Sequence, residues 1–177
     1  MTIAHDLYKL GQSIWLDNIR RQFLKTGGLA DVMKQGVRGV TSNPSIFEKA
    51  IANSDDYDEQ LKQLVAGDKS TDEIYDALVI QDIQDAADIL RPLYDESKRG
   101  DGYISLEVSP TLANDTDGTI ADARRYFKAV DHPNLMIKVP ATPAGVPAIR
   151  TLISEGINVN VTLIFSLEQY EAIAKAY

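Results

Sequence analysis

The stretch that decides the fold is Leu135–Thr142, with the sequence LMIKVPAT, in which aliphatic residues surround one lysine and a proline follows. The run is too short for a helix, and its aliphatic residues are typical of a buried strand in a parallel sheet. Burying a charged ammonium is costly unless it is paired or neutralised. Lys138 therefore either ends the strand and extends its amine to water, or it is an amine nucleophile. In the second interpretation, apolar surroundings keep the amine partly uncharged so that it can attack a carbonyl.

Four further strand-like runs lie on both sides of this lysine strand, and each is followed by a helix-like segment. Repeated strand–helix units with short connections predict parallel strands covered by helices. We therefore expect an α/β fold that forms part of a (β/α)-barrel, in which functional residues lie at the C-terminal ends of the strands. The four runs are Ser13–Asp17, Arg38–Ser42, Tyr103–Val108 and Ile157–Phe165.

Helix signals fill the segments between these runs. Asn43 followed by Pro44 predicts a helix start, because asparagine caps N-termini and proline is favoured at the first helical position. Ser70 starts a second capped helix, whose apolar spacing extends to Pro92, and the Gly27–Gly28 pair separates two shorter helices. The remaining predicted helices are Asn18–Leu24, Leu29–Gln35, Asp55–Val65, Thr116–Ala129, Pro143–Ser154 and a last one from Ser166 to the end.

Composition narrows the classes of protein and of site. The 177 residues are 44% hydrophobic and 25% charged, as expected for one globular domain that spans residues 1–177. The absence of cysteine excludes disulfides and thiolate sites and agrees with a reducing cytoplasm. Only two histidines occur, which argues against a histidine metal site or a Ser-His-Asp relay. The net charge of −8, without a basic cluster, disfavours nucleic acid and anionic membranes as partners.

Targeting and nucleotide-binding signals are also missing from the sequence. No apolar stretch is long enough to cross a membrane, and the charged N-terminus does not resemble a signal peptide. Neither glycine-rich nucleotide-binding motif occurs. We therefore expect a soluble cytoplasmic protein that uses neither a metal nor a cofactor.

Each predicted strand carries a polar residue at or just after its C-terminal end. On the fifth strand the polar residues alternate with valines, so that they share one face. In a barrel this face would be the interior, and the strand ends would converge on one pocket. The residues are Asp17, Asn43, Glu107, Lys138, Asn160 and Thr162.

Each of these residues also has a purely structural interpretation. Asp17 and Asn43 can cap the helices that follow them. Glu107 is a carboxylate in an apolar strand and needs a partner, so that it and Lys138 can form a structural ion pair. Asn160 and Thr162 can fill a barrel interior and hydrogen-bond to each other.

One chemistry connects the six residues. An amine that adds to a ketone forms a carbinolamine, which must lose water with the help of a proton donor and acceptor. Glu107, acting through a water held by Thr162, is the candidate for that role. The resulting protonated imine allows the adjacent C–C bond to break when a base removes a hydroxyl proton, and Asp17 is the candidate base. The amides of Asn43 and Asn160 can hydrogen-bond to sugar hydroxyls.

Four segments of the chain, in this order, resemble the successive signatures of the transaldolase family. The resemblance extends over essentially the whole chain, and the early Trp15-Leu16-Asp17 with the long insertion before the third strand resembles the longer bacterial form. That form is also the front half of fusions with glucose-6-phosphate isomerase. The segments are VTSNPS at 40–45, SLEV at 105–108, IKVPAT at 137–142 and NVTLIFS at 160–166.

The resemblance implies transfer of a dihydroxyacetone unit from a ketose phosphate to an aldose phosphate, a step of the non-oxidative pentose phosphate pathway. The ketose would be sedoheptulose 7-phosphate or fructose 6-phosphate, and the acceptor glyceraldehyde 3-phosphate or erythrose 4-phosphate. It implies that Lys138 forms the Schiff base and Asp17 is the acid/base for bond cleavage. It further implies that Glu107 and Thr162 handle the catalytic water, while Asn43 and Asn160 hold the substrate.

The chain departs from the family in its length. It has five predicted strands where the family has an eight-stranded barrel, and it lacks the later arginines that would bind the substrate phosphate. We therefore expect an N-terminal piece, or a chain that a second chain or a homo-oligomer completes, with little activity alone. Two alternatives remain open, namely cleavage of fructose 6-phosphate without transfer and a catalytically silent partial barrel that acts as an assembly partner.

Overall fold

The computed structural model describes residues 2–177, which form two compact units. The first unit ends at Ile104 and the second spans Ser105–Tyr177. In both units the strands are separated by helices, and strands that follow one another in sequence are neighbours in the sheet. This confirms the predicted α/β class with five strand–helix units. The expectation of a single domain over residues 1–177 stays a prediction.

The first unit contains two complete parallel strands and most of the long insertion. Strands β1 (Ile14–Asp17) and β2 (Val37–Thr41) pair in parallel with Trp15 opposite Gly39 and Asp17 opposite Thr41. A Cβ at position 39 would overlap the indole ring of Trp15, so that only glycine lets the tryptophan lie against the neighbouring strand. The elements are α1 (Ile3–Lys9), β1 (Ile14–Asp17), α2 (Arg21–Lys25), α3 (Gly28–Lys34), β2 (Val37–Thr41), α4 (Pro44–Ala52), α5 (Asp58–Val65) and α6 (Thr71–Glu96). The unit also includes Tyr103 and Ile104, the first two residues of β3 (Tyr103–Glu107).

The longest helix, α6, supplies much of the core of the first unit. Its N-terminus has the predicted cap, in which the Ser70 hydroxyl accepts from the Glu73 amide and the Glu73 carboxylate accepts from the Ser70 amide. The helix continues through Pro92 to Glu96, four residues past the predicted end, because Tyr94 is buried beyond the proline. The apolar stripe that faces the core consists of Leu78, Val79, Ile83, Ala86, Ala87 and Leu90.

A buried polar network joins α6 to the start of α2. The Asp82 carboxylate accepts from Arg21 Nε at 2.7 Å and from the Tyr57 hydroxyl at 2.7 Å, and all three side chains are almost completely buried. The Arg21 guanidinium also lies 4.4 Å from the centroid of the Tyr57 ring. A buried charge needs such partners, and here the arginine, carboxylate and phenol satisfy one another. The network holds the first residue of α2, which begins at Arg21 and not at the predicted Asn18.

The second unit contains the rest of β3 and two further strand–helix units. The Val108 amide donates to the Lys138 carbonyl at 3.2 Å. Strand β4 (Leu135–Pro140) pairs in parallel with β5 (Val159–Thr162), which places Lys138 opposite Asn160 and Pro140 opposite Thr162. The elements are β3 (Tyr103–Glu107), α7 (Thr116–Val130), β4 (Leu135–Pro140), α8 (Gly145–Ser154), β5 (Val159–Thr162) and α9 (Leu167–Ala176).

The two faces of these strands differ in polarity. Leu106, Val108, Ile137 and Val139 are buried on one face, which the helices of the unit cover. The alternate positions carry the polar residues, as the twofold periodicity of a strand requires.

Several predicted boundaries differ from the observed ones. The helix α1 has no counterpart in the prediction, the predicted Asp55–Val65 helix begins as a 3₁₀ turn at Asp55–Tyr57, and α8 begins at Gly145 instead of Pro143. The strands β1, β3, β4 and β5 are shorter than their predicted runs, and β2 lies one residue earlier than predicted. Among the described residues 2–177, no helix has the length and apolar character needed to cross a membrane.

Candidate functional site

Lys138 and Glu107 form an ion pair on the polar face of the second unit. Lys138 Nζ lies 3.5 Å from Glu107 Oε2, and the two side chains are 12% and 18% exposed. The amine is therefore not extended into water. This finding argues against the interpretation in which Lys138 ends the strand and extends its amine to solvent. The carboxylate offsets the cost of holding an ammonium in this apolar sheet, and it is near enough to exchange a proton with the amine directly or through one water.

Asn160 lies beside Lys138 on the next strand. Because the two residues are register partners in a parallel ladder, their side chains stand on the same face of the sheet. The Asn160 carboxamide donates through Nδ2 to the hydroxyl of Ser105 at 3.2 Å. Ser105 is fully buried and lies two residues before Glu107, on the same face of β3.

Thr162 ends β5 two residues after Asn160 and shares its face. Its carbonyl accepts from the Ala141 amide at 2.8 Å, which fixes the end of β5 against the end of β4. The next residue, Leu163, has φ 61°, in the left-handed region that a non-glycine residue seldom adopts. The chain therefore turns sharply directly after Thr162.

Hydrogen bonds from threonines hold the loops that follow β3 and β4. The Thr142 hydroxyl donates to the Ala113 carbonyl at 2.6 Å and accepts from the Gly145 amide at 2.9 Å. The Thr116 hydroxyl donates to the Ala144 carbonyl at 2.8 Å. These bonds tie the two loops next to the Lys138–Glu107 pair to each other.

The other two predicted site residues belong to the first unit. Asp17 ends β1 in an exposed position, opposite Thr41 of β2. It does not cap the following helix, whose N-cap residue is Arg20. Asn43 does cap α4, since its Oδ1 accepts from the Ile46 amide at 3.0 Å. The parallel pairing places the ends of β1 and β2 at one edge of this unit, whereas the prediction that Asp17 and Asn43 share a pocket with Lys138 stays a prediction.

The arrangement in the second unit can perform amine chemistry on a carbonyl compound. It combines a primary amine, a carboxylate within proton-transfer reach, and a carboxamide and a hydroxyl on the same face. Among residues 2–177, no group of three or more His, Asp or Glu side chains is arranged to hold a metal ion.

Ser105 is the residue of this site that sequence reasoning missed. A serine in a strand carries no signal of a partner 55 positions away in the chain. The available signal was its spacing, because a residue two positions before a candidate catalytic carboxylate lies on the same face of the strand.

Known proteins of one family are similar to this chain in sequence. Residues 14–177 match the family model described as transaldolase/fructose-6-phosphate aldolase. The chain is similar to a protein named transaldolase from Trichodesmium erythraeum (strain IMS101), with 53% identity over 173 residues, covering 97% of the chain and 46% of that protein.

Two further relatives show the same relation. A transaldolase of Thiobacillus denitrificans is 52% identical over 178 positions, covering 100% of the chain and 50% of the relative. A transaldolase 2 of Nostoc punctiforme is 50% identical over 173 residues, covering 97% and 45%. The chain thus spans about half the length of the curated relatives it matches. The match over residues 14–177 confirms the resemblance seen in the motifs, and the chain belongs to the transaldolase/fructose-6-phosphate aldolase family.

Proposed function

We propose that this chain carries the amine site of a transaldolase, with Lys138 as the Schiff-base residue. The observation that carries the proposal is the Lys138–Glu107 pair, in which the amine lies 3.5 Å from a carboxylate and is largely withdrawn from solvent. The names of the relatives support the reaction class. The substrate in this proposal is a ketose phosphate, sedoheptulose 7-phosphate or fructose 6-phosphate, in the non-oxidative pentose phosphate pathway.

Formation of the Schiff base begins when Lys138 Nζ, as the free amine, attacks the ketone carbon. A new N–C bond forms and the ketone oxygen becomes a hydroxyl by taking up a proton. Loss of that hydroxyl as water needs a proton donor, and Glu107 supplies the proton through a water molecule held by Thr162. The product is a protonated imine, which withdraws electrons from the neighbouring carbon.

The second step breaks a C–C bond and needs a base. Asp17 removes the proton from the hydroxyl on the carbon beyond the bond that breaks, and the electron pair of that bond moves towards the imine nitrogen. The leaving fragment departs as an aldehyde, and the three-carbon unit stays on Lys138 as an enamine. The enamine then adds to the aldehyde of glyceraldehyde 3-phosphate or erythrose 4-phosphate, while Asn43 and Asn160 hydrogen-bond to substrate hydroxyls.

Borohydride trapping tests this proposal directly. The folded chain is incubated with fructose 6-phosphate, reduced with borohydride and digested, and the peptides are analysed by mass spectrometry. We expect a reduced adduct on the peptide that contains Lys138. Lys138→Gln should abolish it, whereas Lys175→Gln, at an exposed lysine paired with Glu171, should leave it unchanged. Absence of an adduct at Lys138 in a folded sample, or equal labelling of several lysines, would contradict the proposal.

We also propose that complete transfer requires polypeptide beyond residues 1–177. The support is that the chain spans about half the length of its relatives. This additional polypeptide would come from a longer form of the chain, from a second chain or from a second copy of this one. The part supplied would bind the phosphate group of the substrate.

We propose that the protein is located in the cytoplasm. The cysteine-free, acidic sequence and the sugar phosphates that transaldolases use support this location. Cell fractionation with a tagged chain tests it, and recovery in the membrane or secreted fraction would contradict it.

A further inference from the structure

A buried hydroxyl next to the proposed catalytic residues has no role in the chemistry described above. Ser105 is fully buried in β3, and its Oγ accepts a hydrogen bond from Asn160 Nδ2 at 3.2 Å. Serine is seldom buried without a polar partner, because an unsatisfied hydroxyl is costly to remove from water. The contact gives the buried hydroxyl a polar partner, and it joins the strand that carries Glu107 to the strand that lies beside Lys138.

The orientation of the Asn160 carboxamide matters because its two ends differ. The nitrogen end donates hydrogen bonds and the oxygen end accepts them, and rotation by half a turn about the last side-chain bond exchanges the two. That torsion has a broad energy minimum, so that the strand alone does not fix it. Asn160 is the register partner of Lys138, so that its carboxamide stands on the same face of the sheet as the amine.

We propose that Ser105 is a positioning residue that holds the Asn160 carboxamide in one orientation. With Nδ2 bonded to the buried hydroxyl, the oxygen and the second N–H of the amide are held ready for the hydroxyl groups of a sugar bound at Lys138. The sugar-binding part of this inference rests on the proposed function, whereas the orientation of the carboxamide does not. Ser105 acts through Asn160 and does not itself take part in the bond changes.

The first experiment measures the proton exchange and motion of the Asn160 carboxamide by NMR, and it does not depend on activity. In the chain labelled with ¹⁵N, the side-chain NH₂ signals of Asn160 are assigned from their loss in Asn160→Ala. We expect slow proton exchange and restricted motion for this group, and faster exchange and motion in Ser105→Ala. Ser105→Thr, which keeps a hydroxyl, should restore the slow exchange. Unchanged signals in Ser105→Ala would overturn the proposal.

The second experiment measures substrate binding by borohydride trapping at increasing fructose 6-phosphate concentrations. It gives a half-saturating concentration and a limiting trapping rate. Loss of one neutral hydrogen bond predicts a rise of about fivefold in the half-saturating concentration for Ser105→Ala, with the limiting trapping rate nearly unchanged. In the Asn160→Ala background the same substitution should have no further effect, because two residues that act as one unit are not additive.

The control for loss of a buried hydroxyl is Thr119→Val. Thr119 is buried in the same unit, and its hydroxyl donates to the Leu112 carbonyl rather than to Asn160. We expect this variant to lower thermal stability without changing the half-saturating concentration. A full effect of Ser105→Ala in the Asn160→Ala background would overturn the positioning role. Failure of the wild-type chain to form any adduct would instead contradict the proposed function, and the NMR experiment would still decide the role of Ser105.

Discussion

Glu107 is the acidic partner of Lys138, and its charge can be removed with little change in shape. Glu107→Gln should slow adduct formation with fructose 6-phosphate by about 100-fold, because general acid–base catalysis contributes about 10²–10⁴ to such steps. The measurement is the rate at which Lys138 is labelled in the presence of excess borohydride. Glu171→Gln, at an exposed ion pair with Lys175, is the matched control. A rate within twofold of wild type would show that Glu107 has only a structural role.

Tyr57 makes the first unit less stable as the pH rises into the alkaline range. Burial raises the pKa of its phenol above the usual value of 10.0, and the neighbouring Asp82 carboxylate raises it further. The folded chain therefore keeps the phenol proton at pH values where the unfolded chain loses it. The resulting stability is complete below about pH 10 and is lost as the pH rises above that value.

The variant Tyr57→Phe tests this pH dependence. We expect it to lower the free energy of unfolding at pH 8 by about 1–3 kcal/mol, because Asp82 loses a hydrogen-bond donor. Above pH 10 its stability should fall less steeply than that of the wild type. Urea unfolding from pH 8 to 11 measures both effects, with Tyr170→Phe at an exposed phenol as the control. Equal slopes for wild type and Tyr57→Phe would contradict the prediction.

At the scale of elements, the contact between α8 and the end of β4 depends on a missing side chain. A Cβ at Gly145, the first residue of α8, would overlap the Pro140 carbonyl oxygen, and Pro140 lies two residues after Lys138. Gly145→Ala should therefore displace the helix or the strand end and destabilise the chain by about 2 kcal/mol or more. It should also reduce adduct formation at Lys138.

Gly67→Ala provides the matched control for this substitution. A Cβ at Gly67 would meet its nearest neighbour, the Leu64 carbonyl oxygen, at an ordinary contact distance of 3.5 Å. We expect no loss of stability for this variant, since alanine also restricts the unfolded chain. Thermal unfolding of both variants makes the comparison, and equal melting temperatures would show that α8 can move at no cost.

The helix boundaries show what local sequence can predict. Asn43 with Pro44 and Ser70 with Glu73 are caps that act over three residues, and both were predicted and observed. The predicted end of α6 and the predicted start of α2 were wrong, because both boundaries involve residues that are distant in the sequence. Burial of Tyr94 accompanies the continuation of α6 past its proline, and the distant Asp82 carboxylate binds Arg21, the first residue of α2.

The site shows the same division between local and distant information. The pairing of Glu107 with Lys138 followed from the cost of burying two charges in apolar strands, and it is observed. Ser105 was missed because an uncharged serine in a strand carries no signal of a partner 55 positions away. The roles of the six predicted site residues stay predictions.

For the whole molecule, the family match and the five strand–helix units confirm a fold of the (β/α)-barrel type, of which this chain supplies about the first five units. We expect residues 1–177 to form the Lys138 adduct while turning over more than about 100-fold more slowly than a full-length relative, because small errors in substrate position are costly. A coupled assay beside the transaldolase of Thiobacillus denitrificans provides the comparison. Comparable turnover would show that residues 1–177 suffice.

The pairing of Trp15 with Gly39 has a spectroscopic consequence. Trp15 is the only tryptophan in the chain, and it lies against the backbone of β2 in the first unit. Its fluorescence therefore reports when β1 and β2 separate, whereas labelling of Lys138 reports on the second unit. A denaturant titration that follows both signals can tell whether the two units unfold in one transition or in two, without any added dye or engineered probe.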